Sequence, residues 1–159
     1  CTFPPQGDYS MKTLSPKSAW SASQATDFLE SFDGPLRIAV TTASGFPLIC
    51  SLWYQFRDGQ ILCATQKQAV ITRHLERDGR CAFELSTNDP PYFGLRGRGL
   101  ATVTSLGAAE LLEQVSSRFL GDEETPFKQW LRRRSADEVC IKIEPSWVTS
   151  WDYRKRMAP

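Results

Sequence analysis

Arg96 and Arg98 stand two residues apart in "YFGLRGRGLATV". In an extended chain that spacing puts both guanidinium groups on one face. Two forked donors side by side can hold a phosphate or a carboxylate, and they can equally be solvated or ion-paired on an edge strand. The remaining inventory of reactive groups is sparse. His74 is the single histidine. The five cysteines, Cys1, Cys50, Cys63, Cys81 and Cys140, contain no C-x-x-C. Four of them fall in apolar strand patterns and read as reduced, buried small hydrophobes of a cytoplasmic protein, with no metal or disulfide framework. Cys50 and Cys63 sit on a predicted core face, without the neighbouring base that a nucleophile needs. Paired carboxylates, a Ser-His-Asp pattern, metal-ligand spacing and a phosphate loop are all missing from the sequence.

Composition narrows the classes further. A chain of 159 residues can build one domain with a real core. With 41% hydrophobic and 23% charged residues it has the make-up of an ordinary globular domain. A net charge of +1 provides no bulk field for nucleic acid or an anionic membrane. Arg132-Arg133-Arg134 falls at a predicted helix end, where it complements the dipole, and is too small a cluster for a nucleic-acid footprint. No apolar run approaches the roughly 20 residues of a spanning helix. Residues 1–20 have no apolar signal-peptide core. Residues 1–10 precede Met11 and read as vector-derived or as an alternative start. The expected organisation is an N-terminal extension over 1–19 and a single domain over 20–159.

The elements that position these groups follow from periodicity. "LICSLWYQFRDGQILCAT" (48–65) reads as two strands joined by a type I′ turn at Asp58-Gly59. The register then pairs Phe56 with Ile61, Tyr54 with Cys63 and Leu52 with Thr65. Leu48, Cys50, Leu52, Tyr54, Phe56, Ile61, Cys63 and Thr65 share a core face. The opposite face carries Ile49, Trp53, Leu62 and Ala64, too apolar for water. Those four predict a patch that a second subunit covers, with Trp53 stacked on a cofactor or packed in the interface. Before this hairpin, Ser21 and Gln24 have capping-box spacing ahead of Ala25, Phe28, Leu29 and Phe32, a short helix. Leu36, Ile38 and Val40 alternate in a strand that Ser44-Gly45 turns back. After the hairpin come a short helix ending at Gly79, a strand over 80–86 and a glycine-rich strand over 92–106. Glycines inside a strand suggest bulges or close backbone approach. A helix then presents Ala108, Leu112, Val115 and Phe119 and stops at Gly121. Thr125-Pro126 starts another, and 138–151 closes as a strand bent at Pro145. Six strands with peripheral helices predict a mainly β fold, a small six-stranded antiparallel barrel whose interior is filled by side chains.

The stretches "RIAVTTASGFPLICSLWYQF", "ILCAT", "HLERDGRCAFEL", "PPYFGLRGRGLATV" and "SSRFLG" together resemble the pyridoxamine 5′-phosphate oxidase-like, FMN-binding split-barrel family, of Greek-key type, over about residues 20–150. The resemblance implies a homodimer with flavin sites at the interface and a redox reaction on a small-molecule substrate. By position it implies that Ser51, Leu52, Trp53, Ala64, Thr65 and Gln66 face the cofactor, and that the following helix start receives the phosphate. "SWDYRKRM" is similar to the family's closing segment, which implies that Trp151 approaches the flavin. The family's usual basic anchors fall here on Ala69 and Ile71, which cannot bind phosphate. Lys67 and Arg73 stand nearby as substitutes, with Arg96 and Arg98. The vacancy also agrees with a deazaflavin in place of FMN, or with loss of the cofactor. Haem-binding relatives imply a further alternative with His74 as ligand, set against a plain helix-surface histidine.

Overall fold

The computed structural model describes Met11 and residues 13–158; the reading of residues 1–10 lies outside them. Its elements are α1 (Ala22–Ser31), β1 (Leu36–Thr41), β2 (Pro47–Leu52), β3 (Tyr54–Arg57), β4 (Gln60–Gln66), α2 (Val70–Arg77), β5 (Arg80–Ser86), β6 (Phe93–Thr104), α3 (Ala108–Leu120), α4 (Pro126–Arg133) and β7 (Glu138–Asp152). The strands form one antiparallel sheet in the order β2-β1-β5-β6-β7-β4-β3, curled around a core of Leu36, Ile38, Tyr54, Ile61, Leu85, Leu95, Ile141 and Ile143.

Local signals account for most boundaries. Ser21 and Gln24 make both bonds of the capping box that starts α1. Asp58 and Gly59 both have positive φ, 52° and 76°, as a type I′ turn requires. Tyr54 pairs with Cys63 and Phe56 with Ile61. Residues 13–19 run along β7, with Ser15 N–H bonded to the Val148 carbonyl and Ala19 N–H to that of Ser150.

Two expectations are corrected. There are seven strands, because the predicted strand over 48–57 breaks at Trp53. Leu52 therefore pairs with Leu36 of β1, not with Thr65, and only β3 pairs with β4. Alternation runs unbroken through the break, since both halves put even-numbered residues inward, so the pattern carries no mark of the change of partner. β6 also lies mid-sheet, between β5 and β7. The bend at Pro145 is real: the β6–β7 register shifts between Arg98 and Gly99, opposite Trp147 and Pro145.

The buried acids of the core set an alkaline limit on stability. Burial pushes the Tyr54 hydroxyl up to about 12, against the opposing pull of Arg118, and the Cys81 thiol up to about 11. Each group keeps its proton in the fold after the unfolded chain has lost it, so the folded state binds more protons at high pH. Stability should therefore be full below about pH 9 and fall as pH rises from 9 to 12, by on the order of 5 kcal/mol in all. Urea midpoints measured from about pH 8 to about pH 11 should fall; a flat profile would refute this assignment.

Candidate functional site

The curled sheet does not close. Among the described residues β2 bonds to β1 alone and is one edge, while β3 is the other. β3 pairs with β4 only as far as Cys63, so Ala64, Thr65 and Gln66 have a strand, β7, on one side only. The free edge of β2 and the open end of β4 thus flank a split, with Trp53 at the crossing. Ser51, Leu52, Trp53, Ala64, Thr65 and Gln66 all lie along it, Ser51 exposed and the others half-buried. Unpaired main-chain groups on two such edges form a row of donors and acceptors of the kind a planar, edge-polar ring can use.

The split's polar end is an ordered network. Arg134, whose guanidinium lies 4.3 Å from the Trp130 ring centroid, donates to Gln66 Oε1 at 3.0 Å. Gln66 Nε2 donates in turn to the Glu138 carboxylate. Glu138 is 6% exposed, and burial pushes its carboxyl up against the pull of Gln66 and Arg134. Glu138 and Arg134 escaped the sequence reading, because nothing in a single chain shows that residues 66 and 138 are paired across β4 and β7.

Lys67 follows directly and is exposed; its N–H bonds the Asp137 carbonyl at 2.8 Å. Arg73 is exposed one turn into α2. Ala69 is the N-cap of α2 and supplies no side-chain bond, and Ile71 is 2% exposed in the core. Neither can be a phosphate ligand, as the sequence indicated. His74 lies half-buried on α2.

The covering of the second hairpin face differs from expectation. Helix α3 of the same chain packs on it: Trp53, Leu62 and Ala64 cluster with Ala108, Leu111, Val115 and Cys140. The Trp53 ring stacks on Phe119 with centroids 5.9 Å apart and 5° between planes, and meets Phe127 edge-on at 6.5 Å. Neither a flavin nor a second subunit is needed to cover Leu62 and Ala64. Under the start of α3 a cavity of about 540 Å³ remains, floored by Cys140 and Leu62. Burial pushes the Cys140 thiol up, away from the thiolate form.

Ile49 belongs to a different surface, 67% exposed. It lies on the outer face of β2-β1-β5-β6, in one cross-strand row with Ala39, Ala82 and Arg98. The next row is Ser51, Arg37, Glu84 and Arg96. Arg96 and Arg98 do share a face, as predicted. Each lies beside an indole, Arg96 at 5.4 Å from Trp151 and Arg98 at 5.7 Å from Trp147. Neither forms an ion pair among the described residues. Along the sheet, three strand spacings, about 14 Å, separate them from β2, and Trp151 stands on β7 opposite Gly94 of β6. Arg132, by contrast, is committed to Glu113 and Glu124 at 2.6 and 2.7 Å.

Comparison with known proteins fixes the fold. No family model matches the sequence, and no curated protein does. Solved structures match throughout. The conserved hypothetical protein Rv2991 from Mycobacterium tuberculosis is 23% identical over 92% of this chain and 93% of its own, with a TM-score of 0.76. An F420 reductase is 18% identical, covering 77% and 94%, at 0.66. A candidate pyridoxamine 5′-phosphate oxidase from Listeria innocua is 17% identical, covering 80% and 95%, at 0.61. Proteins of the same fold include an FAD-binding protein from Mycobacterium smegmatis and the heme storage protein HutZ from Vibrio cholerae. The chain has the split-barrel fold of the pyridoxamine 5′-phosphate oxidase-like proteins.

Proposed function

We propose that the chain is a flavin-dependent oxidoreductase that holds FMN at the split between β2 and β4, acts on a small-molecule substrate and works as a cytoplasmic homodimer. The observation that carries this reading is the pair of unpaired strand edges. The donor set suits a flavin ring: main-chain groups of Ser51–Trp53 and Ala64–Gln66, with the Ser51, Thr65 and Gln66 side chains, can bond its pyrimidine edge. A flavin held there would supply hydride or electron transfer. The chain's part is to orient the ring and to hold charge steady through the Arg134–Gln66–Glu138 network. Among the described residues four cysteines are free, three of them buried, which supports a reducing compartment.

The phosphate is the less well-served end. Within one chain Lys67 is the cation beside the open end of β4. A second reading, with a deazaflavin in place of FMN, is favoured by the vacancies at Ala69 and Ile71 and by the F420 reductase of the same fold.

The visible spectrum of the purified protein is the first test: flavin bands support the proposal, and a haem Soret band refutes it. Fluorescence titrations then read the anchor. Lys67→Ala should weaken FMN about ten-fold, the value of one charge-assisted hydrogen bond, and leave riboflavin unchanged. Arg132→Ala should change neither. Equal affinity of the parent protein for FMN and riboflavin would show that the phosphate is not specifically held.

A further inference from the structure

The cavity under the start of α3 shares no residue with the split. Its floor is the outer face of β3, β4, β7 and β6. One cross-strand row there reads Gln55, Leu62, Lys142, Thr102, and the next reads Ala64, Cys140, Thr104. Helix α3 roofs these rows with Leu111, 4% exposed, and leaves about 540 Å³ between helix and sheet, in the range of small-molecule sites. Leu62, Cys140 and Leu111 make its walls apolar. Donors converge over those walls. β3 and β7 are two strand spacings apart, about 10 Å, so Arg57 and Lys142 stand on opposite sides of Leu62. Arg57 Nη2 donates to Gln55 Oε1 at 2.8 Å and to Gln114 Oε1 at 2.7 Å. Those two bonds fix the guanidinium at the cavity and leave its Nε and Nη1, with the amide N–H groups of Gln114, free to donate among the described residues. Lys142 has one ion pair, 3.7 Å to Glu144, with side chains 38% and 61% exposed, a contact worth little in water.

Asp58 and Glu110 complete the charged lining, and neither pairs with Arg57 or Lys142 among the described residues. The field at the floor follows the cations. Burial pushes the Cys140 thiol up, while Lys142 and Arg57 both pull it down and no carboxylate acts against them. Helix α3 also starts at this cavity, at Gly107 and without a side-chain cap, which adds the positive end of its dipole. We propose that the cavity is a second binding site, for a small organic carboxylate with a compact apolar body. The carboxylate takes the bonds that Arg57, Gln114 and Lys142 leave open, and the body lies on Leu62, Cys140 and Leu111. The lining contains no aromatic ring, so the body is held by burial and not by stacking. A neutral analogue forgoes the charge-assisted bonds, and a cationic one meets two like charges. The site stands independently of the flavin reading.

Amide NMR titration of the protein as purified tests this, with cyclohexanepropionate as the probe and the matching alcohol and amine as its analogues. The carboxylate should shift the resonances of residues 102–114 and 140–142 in a saturable way and leave 51–53 and 64–66 in place. The alcohol should bind at least ten-fold more weakly, the value of one charge-assisted hydrogen bond, and the amine should not bind. Arg57→Gln and Lys142→Gln should each cost about ten-fold in carboxylate affinity. Arg133→Gln, which removes an exposed cation outside the cavity, should cost nothing. Thr102→Trp keeps both cations, fills the cavity from an exposed position and should abolish binding; the same spectra report whether each variant is folded. The site would be overturned by the absence of a saturable shift, by shifts at the split instead of the cavity, or by equal affinity for the alcohol and the carboxylate. Full carboxylate affinity in Arg57→Gln, Lys142→Gln or Thr102→Trp would overturn it as well.

Discussion

Gly99→Ala is expected to destabilise the fold by about 3 kcal/mol, within the range for overpacking against a rigid neighbour. A Cβ there would lie 2.2 Å from the Glu144 carbonyl oxygen and 3.0 Å from Pro145 Cα. Both are main-chain atoms of β7, so relief requires the strands to part at the bulge, where β6 and β7 already change register. Gly97 is nearly as confined, with the Trp147 carbonyl oxygen at 2.6 Å and the Phe83 ring at 2.5 Å. Gly45→Ala is the control. Nothing lies within 4 Å of its added methyl, and its φ of +85° limits the cost to backbone strain, about 1 kcal/mol. Denaturant unfolding of both variants measures the difference. A Gly99→Ala protein no less stable than Gly45→Ala would mean that β6 and β7 are not in contact at this point.

The second large effect is expected at Arg118. Its guanidinium donates to the carbonyls of Phe32 at 2.8 Å and Leu29 at 3.3 Å, which end α1, and to the Tyr54 carbonyl at 3.2 Å. It also lies 4.5 Å from the Tyr54 ring centroid and donates to its hydroxyl at 3.2 Å. One side chain of α3 therefore ties α1 to β3, immediately beside Trp53. Arg118→Ala leaves those acceptors short of a donor and should cost about 3 kcal/mol. Arg118→Lys keeps the charge but cannot fork, and should recover less than half of the loss. Unfolding measurements that put the alanine variant within about 0.5 kcal/mol of wild type, the ordinary surface value, would show that the contacts carry no weight.

What the sequence showed and what it hid have physical reasons. Turns and caps are local, so Asp58-Gly59 and Ser21/Gln24 were legible, and so was the Tyr54–Cys63 register that the turn sets. The glycines of β6 announced close approach without saying to what. The break at Trp53 was invisible because β2 and β3 keep the same inward parity. The apolar face of α3 was legible in its spacing, but periodicity does not say which sheet face a helix covers; hence Leu62 and Ala64 were assigned to a partner when α3 covers them. Arg118 was not singled out at all, since its acceptors lie 64 to 89 residues away. The residues Ser51–Trp53 and Ala64–Gln66 were named by resemblance, because a strand's place at a sheet edge is not written in its own periodicity; the structure puts them along the edge of β2 and the open end of β4.

Amide hydrogen exchange with and without saturating FMN tests the central claim most directly, because the site is defined by main-chain groups on two strand edges. Bound FMN should slow exchange in residues 47–53 and 64–67, leaving the cavity segment 102–114 unchanged. No protection anywhere, or protection confined to 102–114 with the two edges unaffected, would contradict a flavin site at the split.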